Sequence, residues 1–524
     1  MTDGTAAPGP ERTGTPPGGP YLPPHLPPPR ASGDYVGSRE PHAAARGHVV
    51  SKRERVPQST GPRPSGRGDD TFGADWLRMI TLDPAPQERL APLWDARAAR
   101  VLGLVREALC GPGDDGGRSV PSAGALYPYD VVVVGGSGPA RRLLKADLGR
   151  DGCTELPLSA PAARELGAAL DEGCGIDGAD HVVVLARPWL SMRKYGPRGH
   201  LYTQLDAGHA ATSLLGTALG QGPAVLRLRV PRRRISACLD PFLPYREVHS
   251  VVSVGPARRD HAVRDTSVNL APPPRRDTSE SMERFCWSQI PEALRSGGDL
   301  PLPVTCAPVV AVGDGPGGLG RIGRHEWRLL TRLRHSCKRF ERQEQPAGTV
   351  AAAVEALLTA LPTDLPDAAG GRQGGVGVSI LTGPGPIADA CARRLPGGDV
   401  RFTVDDAIDD PAVITRLCRG QRHIGGAQAL VAFHLRIGRL LRTGRPQEVR
   451  DALFRASAAA HLIYLGAARN DVAVTAVGGF DARTLRTVAG LGDDEEVVYL
   501  MALGVAAGTG SKIDRLAVAH AHGE

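Results

Sequence analysis

The sequence predicts an α+β protein whose layered fold is built twice in one chain, behind a structureless N-terminal tail. Three observations predict it. Valine-rich strand runs alternate with helix-length segments from about Asp75 onward. The order of those elements recurs at an offset of about 247–249 residues. Ahead of them, residues 1–70 contain 14 Pro and 11 Gly, with stretches such as Pro23-Pro24-His25-Leu26-Pro27-Pro28-Pro29 that carry no helical or strand period. The expected division is a disordered tail at 1–74, a first half at 75–256, a linker at 257–300 around Pro272-Pro273-Pro274, and a second half at 301–524.

In the first half the pattern gives a helix near 95–109, a strand at 130–134 and a helix near 161–170. A strand at 181–187, a helix at 202–220 and strands near 224–230 and 248–254 follow. The second half reads as a strand near 307–312, helices near 324–334 and 348–361, and a strand at 376–381. A long helix at 447–469, a strand at 472–476, a short helix at 482–489 and a strand at 497–503 complete it. Under the offset, Tyr129–Val134 with its following Gly136-Ser137-Gly138-Pro139 falls on Val376–Leu381 with Gly383-Pro384-Gly385-Pro386. The helices at 203–220 and 452–469 coincide, as do Val251–Gly255 and Leu500–Gly504.

Composition narrows the function. Among 524 residues, 41% are apolar and 23% charged, which suits globular domains. A net charge of +7 with 4% aromatics, and no basic run interleaved with aromatics, argues against nucleic acid. No apolar run approaches a membrane span of about 18 residues, and no signal-type segment is evident. Nine scattered Cys without a C-x-x-C pair read as reduced thiols in a cytoplasm and not as a metal site. Arg outnumbers Lys 58 to five, so the few lysines stand out; Lys194, Lys338 and Lys512 fall inside motifs.

The first motif is Arg118-Ser119-Val120-Pro121-Ser122-Ala123-Gly124-Ala125-Leu126-Tyr127-Pro128, a loop of small residues between prolines. Its backbone N–H groups and Ser122 hydroxyl suit close approach to a planar ligand. The second is Arg193-Lys194-Tyr195-Gly196-Pro197-Arg198-Gly199-His200, followed by Leu205-Asp206-Ala207-Gly208-His209. Together these strings resemble the nitroreductase superfamily and, more narrowly, the SagB-type thiazole/oxazole dehydrogenases, which use FMN. Three further strings in the second half resemble the same pattern: Arg334-His335-Ser336-Cys337-Lys338-Arg339-Phe340, Val477-Gly478-Gly479-Phe480-Asp481 and Ser511-Lys512-Ile513-Asp514-Arg515.

The resemblance implies a tandem pair of nitroreductase-like halves and an FMN site. Pro121, Ser122, Ala123 and Gly124 would form one wall. Arg334, His335, Ser336, Lys338, Lys512 and Arg515 would hold the phosphate and ring edge, and Gly478 and Gly479 would lie under the isoalloxazine. Each half lacks the strings the other carries, so the halves complement each other as a pseudo-dimer with one composite site, completed within one chain or between two. The implied reaction is oxidation of thiazoline or oxazoline rings in a ribosomally made peptide, with Lys194 and Tyr195 as the catalytic pair. Desolvation and the neighbouring Arg193 and Arg198 would push Lys194 toward neutrality. Expected partners are an azoline-containing precursor peptide and a cyclodehydratase. A general NAD(P)H-dependent nitro or quinone reductase and a non-catalytic partner subunit are the rival readings. Gly313-Asp314-Gly315-Pro316-Gly317-Gly318 matches G-x-G-x-x-G, but Pro316 disfavours the helix start that a dinucleotide site needs. Ser191-Met192-Arg193-Lys194 matches S-x-x-K without the companion hydrolase motifs.

Overall fold

The computed structural model describes residues 91–92, 96–111, 118–136, 141–148, 152–256, 267–270, 282–296, 324–343, 347–355, 376–394, 400–442 and 446–508. The expected tail at 1–74, the strand near 307–312, the Gly313–Gly318 turn, Lys512 and Arg515 lie outside them.

The first group of elements is β1 (Ala91–Pro92), α1 (Ala96–Leu109), β2 (Tyr129–Gly135), β3 (Arg142–Asp147), β4 (Gly152–Glu155), α2 (Ala160–Asp171), β5 (Asp180–Ala186), α3 (Pro188–Tyr195), α4 (Gly199–Leu219), β6 (Ala224–Arg227), α5 (Arg232–Leu239), β7 (Glu247–Val254), β8 (Ser267–Leu270), α6 (Met282–Ser288) and α7 (Glu292–Ser296). The second is α8 (Arg324–Leu333), β9 (Phe340–Glu341), α9 (Ala347–Val354), β10 (Gly377–Thr382), α10 (Pro386–Arg394), β11 (Val400–Val404), α11 (Pro411–Leu417), β12 (Ala429–Leu435), α12 (Ile437–Arg442), α13 (Pro446–Arg469), β13 (Ala473–Ala476), α14 (Ala482–Val488) and β14 (Glu496–Ala506).

Two sheets result. One runs β1-β8-β4-β3-β2-β5-β7-β6; the other runs β11-β10-β12-β14-β13, with β9 added to β14. Strand β2 shows why the sequence folds this way. Its side chains alternate across the sheet. Val131 and Val133 pack with α1 and α4, while Val132 and Val134 pack with α2 and α5. A strand covered on both faces reads as an unbroken apolar run, and Val131–Val134 is one. Strand β12 repeats the arrangement: Val431 and Phe433 face α9 and α13, and Leu430 and Ala432 face α11 and α14.

The central registers of the sheets correspond. Strand β5 pairs with β7 from Asp180↔Val254 to Ala186↔Glu247, with an irregularity between Val184 and Leu185. Strand β12 pairs with β14 from Ala429↔Leu503 to Leu435↔Glu496, with an irregularity between Phe433 and His434. Asp180 thus answers to Ala429 and Val254 to Leu503, and one constant offset relates every position of the two ladders, the irregularities included. The flanks differ: β2 meets β3 antiparallel in a hairpin, whereas β10 meets β11 in parallel through α10.

Helices α4 and α13 pack on each other between the sheets. From Gly199 to Ala218, α4 is buried on all sides, so its apolar and small residues show no single face. At the contact, a Cβ on Gly208 would lie 2.8 Å from the Ser457 side chain, and Ser457 Oγ donates to Leu205 O. Here glycine is required by close approach. The stretch expected as a linker needs correction. Within 257–300, β8 joins the first sheet beside β4, and α6 and α7 bury Cys286, Ile290 and Leu294 against Trp189 and Met192. The Pro-rich segment dominated the composition and hid these short flanking elements. Among the described residues, no helix is long and apolar enough to cross a membrane.

Candidate active site

The Pro121–Pro128 loop makes a tight turn in which Gly124, Ala125 and Tyr127 all have left-handed backbones, with φ of 64°, 53° and 46°. The left-handed φ at 124 favours glycine. A Cβ there would lie 2.6 Å from Tyr195 Oη and 2.8 Å from Lys194 Nζ. Ser122 is engaged within the protein. Its hydroxyl donates to Asp206 at 2.6 Å and accepts from the Tyr127 N–H at 2.8 Å. The Ala123 N–H also donates to Asp206, at 3.1 Å. The hydroxyl read from the sequence as ligand-facing thus holds the loop's shape, while Pro121 and Ala123 are buried.

Lys194 and Tyr195 end α3, which stops at Gly196 with φ 61°. Both are half-buried. Lys194 Nζ lies 5.5 Å from the Tyr195 ring centre, and Tyr195 meets Tyr202 edge-on at 4.9 Å. The two arginines expected to act on Lys194 make other contacts. Arg193 stacks over Trp189, and burial lowers it to about 10. Arg198 lies 4.5 Å from the Phe480 ring centre and donates to Val497 O at 2.9 Å.

From the other sheet comes the Gly478-Gly479-Phe480 turn that follows β13. A Cβ on Gly478 would lie 3.2 Å from Tyr195 Oη. That hydroxyl therefore sits beside Gly124 and Gly478 together, where three strings far apart in the sequence meet. The turn is fixed by the Tyr202 hydroxyl, which donates to Gly478 O, and by Gln421 Nε2, which donates to Gly479 O at 2.6 Å.

Arg334 follows α8 and reaches the same loop. Its Nε donates to Ser119 O at 2.6 Å and its Nη2 to Arg118 O at 3.3 Å. The residue is only 8% exposed, and Nη1 is buried without a hydrogen-bond partner. Ser336 Oγ lies 3.2 Å from the Tyr464 hydroxyl, which accepts from the Ala476 N–H two residues before Gly478. The Cys337 N–H bonds Val474 O, tying the string to β13. His335 and Lys338 are exposed. Of the twelve cofactor-binding positions expected, ten lie in the described residues; Gly124 and Gly478 meet at Tyr195, Arg334 reaches the Pro121–Pro128 loop's start, and Ser336 meets Tyr464 near β13.

Sequence reasoning missed the supports. Asp206 was visible only as part of a string, yet it carries the loop. Burial raises its carboxyl to about 7, against the opposing pull of the Ser122 and Ala123 bonds. Tyr202, Gln421 and Tyr464 carried no signal, because their roles depend on contacts between distant segments.

These residues fit a flavin. A buried guanidinium N–H without a protein partner is costly unless an anion or polar ligand meets it. Arg334 supplies such a group beside a half-buried Ser336. Two glycines allow flat backbone surfaces around the tyrosine.

The nitroreductase family model matches residues 331–505, a third of the chain. The chain thus carries a nitroreductase family domain, and this supports oxidoreductase chemistry of that family, whose members generally bind FMN. A solved structure described as a nitroreductase from Anabaena variabilis is similar at 16% identity and a TM-score of 0.51, covering 78% of this chain and 88% of its own. A nitroreductase family protein from Clostridium novyi covers 34% of this chain and 83% of its own at 11% identity, with a TM-score of 0.22. A structure described as a nitroreductase from Ralstonia eutropha covers 38% and 90% at 18% identity, with a TM-score of 0.23. No curated protein matches the chain. The fold is that of a nitroreductase.

Proposed function

We propose that this chain is an FMN-dependent dehydrogenase that oxidises thiazoline or oxazoline rings to thiazoles or oxazoles in a ribosomally made peptide. The observation that carries the reading is the placement of Lys194 and Tyr195 against Gly124 on one side and Gly478 on the other. Nitro or quinone reduction needs no such pair. Azoline oxidation does, because a Cα proton leaves together with a hydride.

FMN, when bound, supplies the two-electron acceptor. Arg334, Ser336 and Lys338 would hold its phosphate end, Gly478 and Gly479 its ring, and the Pro121–Gly124 loop the opposing wall. Lys194 is the base that takes the Cα proton. Tyr195, edge-packed on Tyr202, fixes the position of the lysine and orients the ring. The substrate arrives from a cyclodehydratase, the class of enzyme that forms azolines from Cys, Ser or Thr side chains.

The same reading makes the halves copies that pair within one chain. Its supports are the strand registers shared at one constant offset and the self-equivalent contact of Gly208 with Ser457. A twofold axis brings a residue against its own counterpart in this way. A neighbour chain that covers 78% of this one must also span parts of both halves.

The test is single-turnover reduction of the purified protein's flavin by an azoline peptide, followed by mass spectrometry. The reading expects bleaching and a loss of about 2 Da per ring, as for any two-electron oxidation. Bleaching by NAD(P)H with nitro or quinone turnover, and none by the peptide, would replace it with the general reductase.

A further inference from the structure

Among the described residues six acidic side chains are buried: Asp130, Asp180, Asp206, Glu247, Asp451 and Glu495. Five pair with a cation. Asp130 meets Arg246 and Lys145, Asp180 meets Arg97 and Arg100, Glu247 meets Arg450, Asp451 meets Arg229, and Glu495 meets Arg401 and His434. Among the described residues Asp206 alone pairs with none. It is 1% exposed, and it is held by the Ser122 hydroxyl and the Ala123 N–H.

Those two partners form the corner of a strained loop. Ala125 and Tyr127 hold left-handed backbones that residues with a Cβ rarely adopt. Such conformations persist only where the surroundings over-determine them. Here Asp206 fixes Ser122, and Ser122 Oγ in turn receives the Tyr127 N–H at 2.8 Å. The residue between them, Gly124, is the one that touches Lys194 and Tyr195.

We propose that Asp206 is a positioning residue, which sets the Gly124 backbone against Lys194 and Tyr195 by pinning the Ser122–Ala123 corner of the loop. The role assigned to that pair rests on the function proposed above; the pinning of the loop does not. A buried carboxylate without a cation is an expensive way to add stability, because the charge loses its water. It is suited instead to gripping a hydroxyl and an N–H together, with bonds stronger than a neutral acceptor makes. Burial raises its carboxyl to about 7, so its charge changes near neutrality. The groups around it do not titrate there. Tyr499 of β14, which feels the Asp206 charge, is pushed well above its ordinary value and stays protonated. His209, one turn along α4, is held neutral by burial, with His461 and Arg334 acting in the same sense.

The experiment is hydrogen exchange on the full chain with its flavin, comparing wild type, Asp206→Asn and Ser122→Ala at pH 8. Loss of a charge-assisted bond should speed exchange of the Ala123 and Tyr127 amides by about ten- to a hundredfold, with β2 amides unchanged. Azoline turnover should fall in kcat with KM held, and the kcat limb near pH 7 should disappear in Asp206→Asn. A melting series supplies a second readout. The folded-state value lies above the ordinary 3.8, so this group's stabilisation is complete below about pH 4 and lost as pH rises through 7. Wild type should therefore lose stability relative to Asp206→Asn across that window. Equal protection of the loop amides in all three proteins would overturn the proposal, as would loosening spread along the whole of α4. If wild type oxidises no azoline, the proposed reaction falls while the exchange data still decide the role of Asp206. Should Asp206→Asn fail to fold, Ser122→Ala removes the same bond from the loop side and decides the question in the same way.

Discussion

The N-terminal ends of α4 and α13 occupy corresponding places and have opposite chemistry. At the first, Tyr202 meets Gly478 in the turn after β13. At the second, Asp451 meets Arg229 in the segment after β6, at 2.9 Å. The offset that relates the two sheets carries Tyr202 onto Asp451 and Arg229 onto Gly478. The correspondence continues outward. Arg198 bonds Val497 O at the first end. At the second, Arg232 and Arg450 bond the O of Val248, the counterpart of Val497, and Arg232 also holds Gln447. Glu247 then binds Arg450, His200 and Gln204. One end thus presents glycines and tyrosines around Lys194 and Tyr195, while the other is closed by a buried ion network. Small residues make room for a planar ligand; interlocked arginines and carboxylates fill the equivalent space. On the proposed reading, the end without the motifs is closed by an internal seal of Arg229, Arg232, Arg450, Glu247 and Asp451.

The largest effect expected from breaking this asymmetry lies at the reactive pair. Lys194→Ala should retain flavin yet lose azoline oxidation by about 10²–10⁴-fold, as for other missing bases. Tyr195→Phe should fall by less and in the same direction. Flavin content and single-turnover rates measure both, and flavin loss in either variant would move the pair into the cofactor wall.

The two guanidinium groups offer a smaller and sharper contrast. Arg334→Gln should weaken FMN about ten- to a hundredfold, the worth of one charge-assisted bond. Arg229→Gln should leave FMN affinity alone and lower stability by about 1.5–3 kcal/mol. Flavin titration and denaturant melts separate the two. Equal flavin loss would mean that the sealed end also holds cofactor.

The smallest effect concerns pH. Burial, with Arg450 nearby, lowers His200 to about 3, and burial with Arg232 nearby lowers His249 similarly. Both values lie below the ordinary 6.5, so the unfolded chain binds more protons between pH 3 and 6.5. The stability these groups confer is present above 6.5 and lost as pH falls. His200→Gln should flatten the acid side of a melting-temperature profile without moving flavin affinity.

How much of this was legible in the sequence depended on how local each signal was. The Val131–Val134 run and the 3.6-residue pattern of α13 declare themselves within one window, and the structure places both close to where that pattern puts them. Strands β3 and β4 were missed because their short, partly buried stretches lack a strong period. Strand β12 was missed although fully buried, for its Ala and His interrupt the β-branched signal. At the candidate site, motif strings marked Gly124, Lys194, Tyr195 and Gly478, which the fold brings together. The sequence does not announce that Ser122 is spent on Asp206, or that Arg198 turns to Phe480, because each contact joins segments fixed only by the tertiary fold. The Asp451–Arg229 pair was hidden for the same reason.

The most direct measurement is the flavin content of the purified full chain, by absorbance against protein concentration after denaturation. A composite site at the Tyr202 end and a seal at the Asp451 end predict about one FMN per chain, released as a single species. Near two per chain would contradict the account at its centre, because the ion network at Arg229 and Asp451 would then have to share its space with a second flavin.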